Sequence, residues 1–433
     1  RERERERETM LLAAAPDCFS TSGSGALSFS SCCSSFRGKA LGYFKGVDLN
    51  LQNKTQTFRR CKASLITNPD SFEVGRLIGS YGFMNVTSYS GFRSGLDIEY
   101  SPEDIGRLRV QDVGEGSVKI RLYEGRIAQG PLRRTSVIFK VYPGQQVGGV
   151  EADMMAANEL NAHASLQSSS KTIQNLQILL GGFETKTGEQ WLAFRNDGKY
   201  SAADYAKVTS EKMFKKGPLG EQKFWNPFEE EQAIKRRRYF VIKLLQGATH
   251  GLAYMHDHDR LHQSLGPASV VLNTMVERDA PYLVPRLRDL AFSVDIRYSN
   301  LVERSGALSE GLWRRASSAG AFTPMEKRAF GIADDIYEAG LLFAHLAFIP
   351  FCEAGIMDNL SLQRLLESTF QLDLEAMREY CLADDRLLEA VKFLDLGDGA
   401  GWELLQAMLN PDFRKRPTAE AVLNHRFMSG AVL

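Results

Sequence analysis

The sequence predicts an α+β fold in which a strand-rich region precedes a larger helical region. From about Arg109, apolar and β-branched residues recur in short stretches that suit strands. Further along, residues 241–255 keep helical spacing over four turns, and residues 339–352 form an apolar run with the length of a buried helix. A chain of 433 residues, 43% hydrophobic and 24% charged, suits one large globular unit or two lobes with additional segments.

The charge and cysteine content exclude several classes of protein. The formal net charge is zero, so composition gives no sign of a nucleic-acid or anionic-membrane partner. The basic run 235–238 follows the acidic run 229–231 and is interpreted as the solvated start of a helix. Of six cysteines, the two after residue 63, Cys352 and Cys381, lack the spacing of metal ligands or of a disulfide framework. A reducing compartment is expected, and redox control stays open.

The first 63 residues are interpreted as a leader that takes no part in the fold. Residues 1–9, four Arg-Glu repeats and a threonine, precede Met10 and are typical of translated upstream sequence. Residues 10–63 are rich in serine and basic residues and poor in acids, which is the composition of an organelle transit peptide. Serine abundance and late arginines favour the chloroplast, with the mitochondrion as the second choice and a disordered tail as the alternative. Residues 64–108 are assigned to an N-terminal extension, either a small structured one or a flexible lead-in, and the sequence does not decide between the two.

Two segments after residue 108 carry residue types that suit phosphate binding. Gly114 and Gly116, followed by residues 123–125, resemble the glycine-rich loop and second strand of protein kinases with one extra residue. Such a turn lets backbone N–H groups approach phosphate. Residues 139–141 end a β-branched run and resemble the kinase strand whose lysine, here Lys140, holds ATP phosphates. A two-glycine hairpin and an edge-strand lysine are the alternatives.

A helix is predicted over residues 150–166, and it carries a carboxylate on its apolar face. Glu159 shares that face with the apolar side chains of the helix. An inward carboxylate needs a cation, because burying a lone charge is costly. Lys140 is the expected partner, as in the kinase Lys–Glu pair, with Glu151 as the alternative carboxylate.

Residues 191–198 resemble the segment that joins the two lobes of a kinase and against which adenine docks. The resemblance places Phe194 at the back of the nucleotide pocket and Arg195 in the binding segment. Beyond it, polar residues 206–235 with Gly-Pro and Asn-Pro pairs predict a surface insert.

The strongest local resemblance covers residues 254–272, which align without a gap with the kinase catalytic loop. The residues that match the family are Tyr254, His256, His262, Leu265 and Pro267. The histidines of this line lack the spacing of metal ligands, so a core or loop role is preferred.

Four positions of the same loop depart from the family. Ser264 replaces the catalytic aspartate that accepts the hydroxyl proton, and losing a positioned base is worth roughly 10²–10⁴ in rate. Ser269 replaces an asparagine that binds metal. Gln263 and Gly266 replace an arginine that pairs with a phosphorylated activation loop and a lysine that approaches the transferred phosphate.

Three later segments extend the resemblance. Residues 288–291 resemble the D-F-G segment, which makes Asp289 the expected Mg²⁺ ligand. Residues 334–340 resemble the opening of the central helix of the large lobe. Residues 408–427 closely resemble the end of the kinase domain.

The terminal motif also implies a buried ion pair. Residues 322–326 resemble the A-P-E segment of the family with one extra residue, and the resemblance implies a buried bidentate pair between Arg416 and the glutamate of that segment, Glu326.

Together these motifs identify the chain as resembling the protein kinase superfamily over residues 109–429. The resemblance implies a two-lobed fold, with a small antiparallel β lobe and one helix in residues 109–198 and a large helical lobe in residues 199–429. The implied function is that of a pseudokinase, a scaffold or allosteric regulator in which ATP and Mg²⁺ binding is weak or lost.

An active atypical protein Ser/Thr kinase is the alternative, with a replacement base drawn from Asp295, Glu303 or Asp257. A protein partner or substrate is expected without being identified, and nucleic acid is not expected. No segment qualifies as a transmembrane span, and peripheral association with the thylakoid stays open.

Overall fold

The structure is a computed structural model that describes residues 65–87, 107–112, 118–168, 175–214, 227–302 and 309–429. All of them lie within one compact unit that runs from Thr57 to Leu433. Strands and one helix come first in this unit and helices dominate afterwards, so the mixed α+β class is confirmed. The predicted leader and the glycines Gly114 and Gly116 lie outside the described residues.

One antiparallel sheet and one helix form the first part of the described chain. The elements in chain order are β1 (Phe72–Thr87), β2 (Arg107–Asp112), β3 (Ile120–Ile127), β4 (Ser136–Tyr142), α1 (Gln145–Gln167), β5 (Leu179–Glu184) and β6 (Gln190–Arg195). The six strands are ordered β2-β1-β3-β4-β6-β5, and each neighbouring pair is antiparallel. Helix α1 packs against β4, β5 and β6.

Strand β1 begins well before the predicted boundary at residue 109. It pairs with β3 from Phe72 to Tyr81 and with β2 from Gly82 onward. The sheet therefore begins inside the segment assigned to an extension, and that boundary is corrected. Two register shifts interrupt the pairing between Val74 and Gly79. Such irregularities break the period-two alternation by which a strand is recognised in a sequence.

Alternation along β4 separates an apolar face of the sheet from a polar one. Phe139 and Val141 are fully buried in a cluster that includes Phe72, whose ring meets that of Phe139 edge-on at 5.5 Å between centroids. Successive side chains of a strand point to opposite faces. Lys140 therefore points to the other face of the sheet, where α1 packs.

Helices and short strands make up the rest of the described chain. The helices are α2 (Ala202–Phe214), α3 (Pro227–Asp257), α4 (Tyr298–Val302), α5 (Glu310–Ser318), α6 (Pro324–Phe348), α7 (Asn359–Arg364), α8 (Leu374–Leu382), α9 (Leu388–Leu394), α10 (Leu396–Met408) and α11 (Ala419–Asn424). The short strands are β7 (Tyr200–Ser201), β8 (Arg260–Leu261), β9 (Val270–Leu272), β10 (Arg286–Leu287) and β11 (Val294–Asp295). Most of these helices share one large apolar core.

Where the structure describes the predicted surface insert at residues 206–235, the chain is helical. The first part of the insert belongs to α2 and its last part to α3, while residues 215–226 lie outside the described residues. Thr209 and Ser210 on α2 are buried, and the Ser210 hydroxyl donates to the carbonyl of Cys352 at 2.9 Å. Polar composition was misleading for α2, because the buried Ser210 hydroxyl has its hydrogen bond inside the fold.

Helix α6 is the central helix of the second part. Thr323 caps it, its hydroxyl accepting from the N–H of Glu326, and Pro324 occupies its first turn. The helix was expected to open at residues 334–340, which instead lie in its interior and are all buried. No helix in the described ranges is long and apolar enough to span a bilayer.

Candidate functional site

Three charged side chains from three elements meet in a buried cluster. Lys140 comes from β4, Glu159 from α1 and Asp289 from the loop after β10. The Lys140 ammonium lies 2.7 Å from each Glu159 carboxylate oxygen and 2.7 Å from Oδ1 of Asp289. The expected Lys140–Glu159 pair is therefore present, and each of the three residues is at most 3% exposed.

The backbone around Asp289 is shaped to deliver its carboxylate. Asp289 adopts a left-handed conformation with φ of 67° and ψ of 52°, which aspartate tolerates better than most residues. Helix α1 holds the residues that follow. Leu290 N–H donates to Oε1 of Glu159 at 3.2 Å, and the Asn158 amide donates to the carbonyls of Ala291 and Ser293 at 2.8 Å each. These bonds fix the loop against α1.

Two tyrosines that the sequence did not single out complete the cluster. The Tyr81 hydroxyl donates to Oδ1 of Asp289 at 2.7 Å, and the Tyr142 hydroxyl donates to Oε2 of Glu159. Lys140 Nζ lies 5.9, 5.7 and 6.0 Å from the ring centroids of Tyr81, Tyr142 and Phe194, within cation–π range. The ammonium is thus enclosed by two carboxylates and three aromatic rings.

The tyrosines differ in how far the sequence could have revealed them. Tyr142 lies two residues after Lys140 on the same strand, so period-two alternation places both on one face. Tyr81 is 208 positions from its partner Asp289, and no local pattern links the two.

Burial and charge set the protonation states of the cluster. Burial alone would raise the pKa of Asp289, but the charges of Lys140 and Arg288 outweigh it and lower that pKa to about 2. Burial, followed by the neighbouring Asp289 charge, raises the pKa of Tyr81 well above its ordinary value. Burial, followed by the Lys140 charge, lowers the pKa of His163 to about 3. At neutral pH the cluster therefore holds ionised Asp289, neutral tyrosines and a neutral histidine.

Ser264 lies against the backbone of Asp289. Its hydroxyl donates to the Asp289 carbonyl at 2.9 Å and lies 3.4 Å from Nδ1 of His262. The other ring nitrogen of His262 is 3.0 Å from the Arg288 carbonyl, so it carries the proton. Burial lowers the pKa of His262. Ser264 is 7% exposed and positions the loop that carries Asp289.

Carboxylates of helix α6 hold the backbone of residues 262–265. Asp335 accepts from the N–H of His262 at 2.8 Å and from that of Gln263 at 2.9 Å, and its Oδ2 lies 2.9 Å from Nε2 of His256. Burial would raise the pKa of Asp335, but these hydrogen bonds, led by the one from His256, lower it. Glu338 accepts from Leu265 N–H at 3.0 Å. The shape of this loop thus depends on two carboxylates of one helix.

Ser269 is engaged within its own turn. Its hydroxyl accepts from Gly266 N–H at 2.9 Å and donates to the Gly266 carbonyl at 2.8 Å. A serine hydroxyl that bridges its own backbone is a poor ligand for a cation.

Phe194 and Arg195, predicted together, have different surroundings. Phe194 is 1% exposed and forms one wall around Lys140. The Arg195 guanidinium lies 2.7 Å from Oδ1 of Asp197, whose other oxygen is 3.4 Å from Arg286. Arg195 therefore anchors the segment between the sheet and the helices and belongs to a separate ion-pair group.

Of the three candidate replacement bases, the two that the structure describes, Asp295 and Asp257, make no hydrogen bond with Ser264. The Asp295 carboxylate is held by Arg297 at 3.0 Å and lies 3.8 Å from Arg260. Asp257 is exposed at the end of α3, and Glu303 lies outside the described residues. Within the described ranges, no group of three or more metal-ligating side chains has the geometry of a metal site.

The predicted ion pair between Arg416 and Glu326 is wrong. The Glu326 carboxylate accepts from the N–H groups of Phe322 and Thr323 at 3.0 and 2.9 Å, where a helix start leaves donors unpaired. Arg416 donates to the carbonyls of Asn410 and Ala333 at 2.7 and 3.0 Å. Glu326 therefore caps the start of the helix, and Arg416 is bonded to main-chain carbonyls.

Comparison with known proteins assigns no family to the chain. No protein-family model matches the chain, and no curated protein matches it significantly.

Proposed function

We propose that the chain is a protein-kinase-like pseudokinase that acts as a scaffold or allosteric regulator. The observation that carries the proposal is Ser264. At the position where the resemblance calls for an aspartate base, a serine hydroxyl donates to the Asp289 carbonyl. A serine hydroxyl does not accept a proton near neutral pH, and the loss of a positioned base lowers the rate by roughly 10²–10⁴.

The buried cluster supports retention of a nucleotide site. Lys140, Glu159 and Asp289 are in contact, as the resemblance implies for the groups that hold ATP. Lys140 would bind phosphate and Asp289 would bind Mg²⁺, which prefers carboxylate oxygens. Mg²⁺·ATP would bring a transferable phosphoryl group, and the chain would bind and orient it. Ser269, engaged with Gly266, offers no second metal ligand.

An active atypical Ser/Thr kinase is the second candidate, and the same cluster favours it. Groups that neutralise phosphate charge supply much of the catalysis in phosphoryl transfer. An active enzyme would nevertheless need a base from outside the described contacts of Ser264.

A phosphotransfer assay distinguishes the two candidates. The full chain is incubated with labelled ATP and either Mg²⁺ or Mn²⁺, with itself and a general protein substrate as acceptors. We expect no transfer above that of the Lys140→Met, Asp289→Ala double variant, because the base is missing. Ser264→Asp is the positive comparison, since it restores a carboxylate at that position. Wild-type turnover that disappears in the double variant would establish the active enzyme.

We also propose a chloroplast location and a protein partner, with no nucleic-acid partner. The support is the serine-rich, acid-poor composition of residues 10–63 and the zero net charge of the chain. Residues 10–63 fused to a fluorescent protein should enter chloroplasts in plant cells. Accumulation in mitochondria, or retention in the cytosol, would overturn the location.

A further inference from the structure

Tyr81 lies where strand β1 changes its partner. Tyr81 pairs with Ile120 of β3, and the next residue, Gly82, pairs with Asp112 of β2. The tyrosine is 4% exposed, although three apolar residues that precede it on the strand, Val74, Leu77 and Ile78, are exposed. A residue turned inward at this point has a specific partner inside the molecule.

Two contacts of Tyr81 fall on the groups that would bind Mg²⁺·ATP. Its hydroxyl donates to Oδ1 of Asp289, and the same oxygen accepts from Lys140. Its ring centroid lies 5.9 Å from the Lys140 ammonium. The Tyr81 hydroxyl thus occupies one lone pair of the Asp289 carboxylate, and the Tyr81 ring covers one side of the Lys140 ammonium. A metal ion bound to this carboxylate oxygen, or a phosphate bound to the Lys140 ammonium, would compete with the phenol.

We propose that Tyr81 is a latch that keeps the nucleotide site closed, and that Mg²⁺·ATP binds only after Tyr81 has left Asp289. This inference rests on the proposed function of the cluster. Closed, the site has its charges compensated without a ligand, because Lys140 is paired with both Glu159 and Asp289. Nucleotide therefore competes with an internal hydroxyl.

The strand has the features that such a movement requires. The pairing of β1 with β3 shifts register between Val74 and Leu77 and again between Leu77 and Gly79. Gly79 lies two residues before the tyrosine and Gly82 directly after it. A side chain added at Gly79 would meet nothing within 4 Å. Irregular pairing and glycine lower the cost of re-aiming one side chain.

The fraction of molecules in which the site is open sets how far the apparent Kd for nucleotide can change. A ligand that binds only the open state has an apparent Kd equal to its intrinsic Kd divided by the open fraction. A hydrogen bond to an ionised carboxylate is stronger than a neutral one, and its loss shifts such an equilibrium by roughly tenfold or more. Removing the hydroxyl should thus tighten nucleotide binding by about tenfold.

Calorimetric titration of the full chain with Mg²⁺·ATP tests the latch. We expect Tyr81→Phe to bind about tenfold more tightly than wild type, and Tyr81→Ala at least as tightly as Tyr81→Phe. Leu77→Ala, an exposed position on the same strand, is the matched control and should leave the affinity unchanged. Adding Asp289→Asn to Tyr81→Ala should remove the gain in affinity for Mg²⁺·ATP, because Asp289 is the proposed metal ligand.

A second readout does not depend on nucleotide. Reductive methylation with formaldehyde, mapped by mass spectrometry, should label Lys140 slowly in wild type and several-fold faster in both Tyr81 variants. Tyr81→Phe keeps the ring and guards against a folding defect in Tyr81→Ala.

The outcomes separate the latch from the proposed function. Equal labelling of Lys140 in wild type and variants, or nucleotide affinity that falls in Tyr81→Phe, overturns the latch. Faster labelling with no nucleotide bound by any variant supports the latch and refutes nucleotide binding by the cluster.

Discussion

At the scale of single residues, the cluster around Lys140 is a balance of buried charges. Removing an ion from water costs several kcal/mol, and the attraction between partners offsets this only with good geometry and further hydrogen bonds. Here Glu159 and Asp289 both lie 2.7 Å from the ammonium, and Tyr81 and Tyr142 donate to the carboxylates. The arrangement is stable as a set and sensitive to the loss of any member.

Lys140→Met should be strongly destabilising for that reason. It leaves Glu159 and Asp289 buried without their shared cation, and breaking a buried pair costs about 3–5 kcal/mol. Urea unfolding measures the change. Arg126→Met is the control, because Arg126 pairs with Glu73 on the surface, where both side chains are more than half exposed, and little change is expected. If Lys140→Met lowers the free energy of unfolding as little as Arg126→Met does, the buried charges of the cluster do not depend on one another.

At the scale of elements, helix α6 organises the second part of the molecule. Its interior residues are buried, and Asp335 and Glu338 hold the backbone of residues 262–265. His345 lies on the same helix, and burial lowers its pKa to about 4 even though its Nδ1 bonds to Asn359. The folded helix therefore keeps His345 neutral under conditions in which the unfolded chain would protonate it.

This difference predicts a pH dependence of stability. Between pH 6.5 and about 4 the unfolded state binds a proton at His345 that the folded state does not, so stability falls as the pH falls through that range. His345→Gln can still donate to Asn359 but cannot titrate. Its unfolding free energy should decline less steeply from pH 7 to 5, by up to about 1.4 kcal/mol per pH unit.

Urea unfolding at several pH values measures the slope. His250→Gln, at an exposed histidine, should change it less. Identical slopes for wild type and His345→Gln would refute the buried neutral histidine.

The elements also show what the sequence could and could not predict. The strands that flank Lys140 and the helix that carries Glu159 were predictable, because their apolar periodicity is regular. Strand β1 was missed because register shifts and glycines disrupt its alternation. The start of α6 was missed because Thr323 and Glu326 form a helix cap, which the family resemblance had assigned to another role.

At the scale of the whole molecule, the sheet and the helices are joined by polar contacts at the cluster and by a tight connection. At Gly198 the backbone adopts a φ of 157°, and any side chain would collide with the Leu272 carbonyl. Contacts between residues far apart in sequence, such as Tyr81 and Asp289, which are 208 positions apart, form only in the assembled fold and leave no local sequence pattern. Three members of the cluster were therefore predictable from motifs, and the tyrosine that covers them was not.

The dependence of residues 262–265 on α6 has a consequence for how the chain is made. Asp335 lies 73 positions after His262, yet it supplies the acceptor for that residue's N–H. During synthesis from the N-terminus, residues 262–265 leave the ribosome long before α6 exists. Contacts between residues so distant in sequence form late, because closing a long loop must precede the gain from the contact. The segment that most clearly suggests an activity in the sequence is therefore among the last to take its final shape.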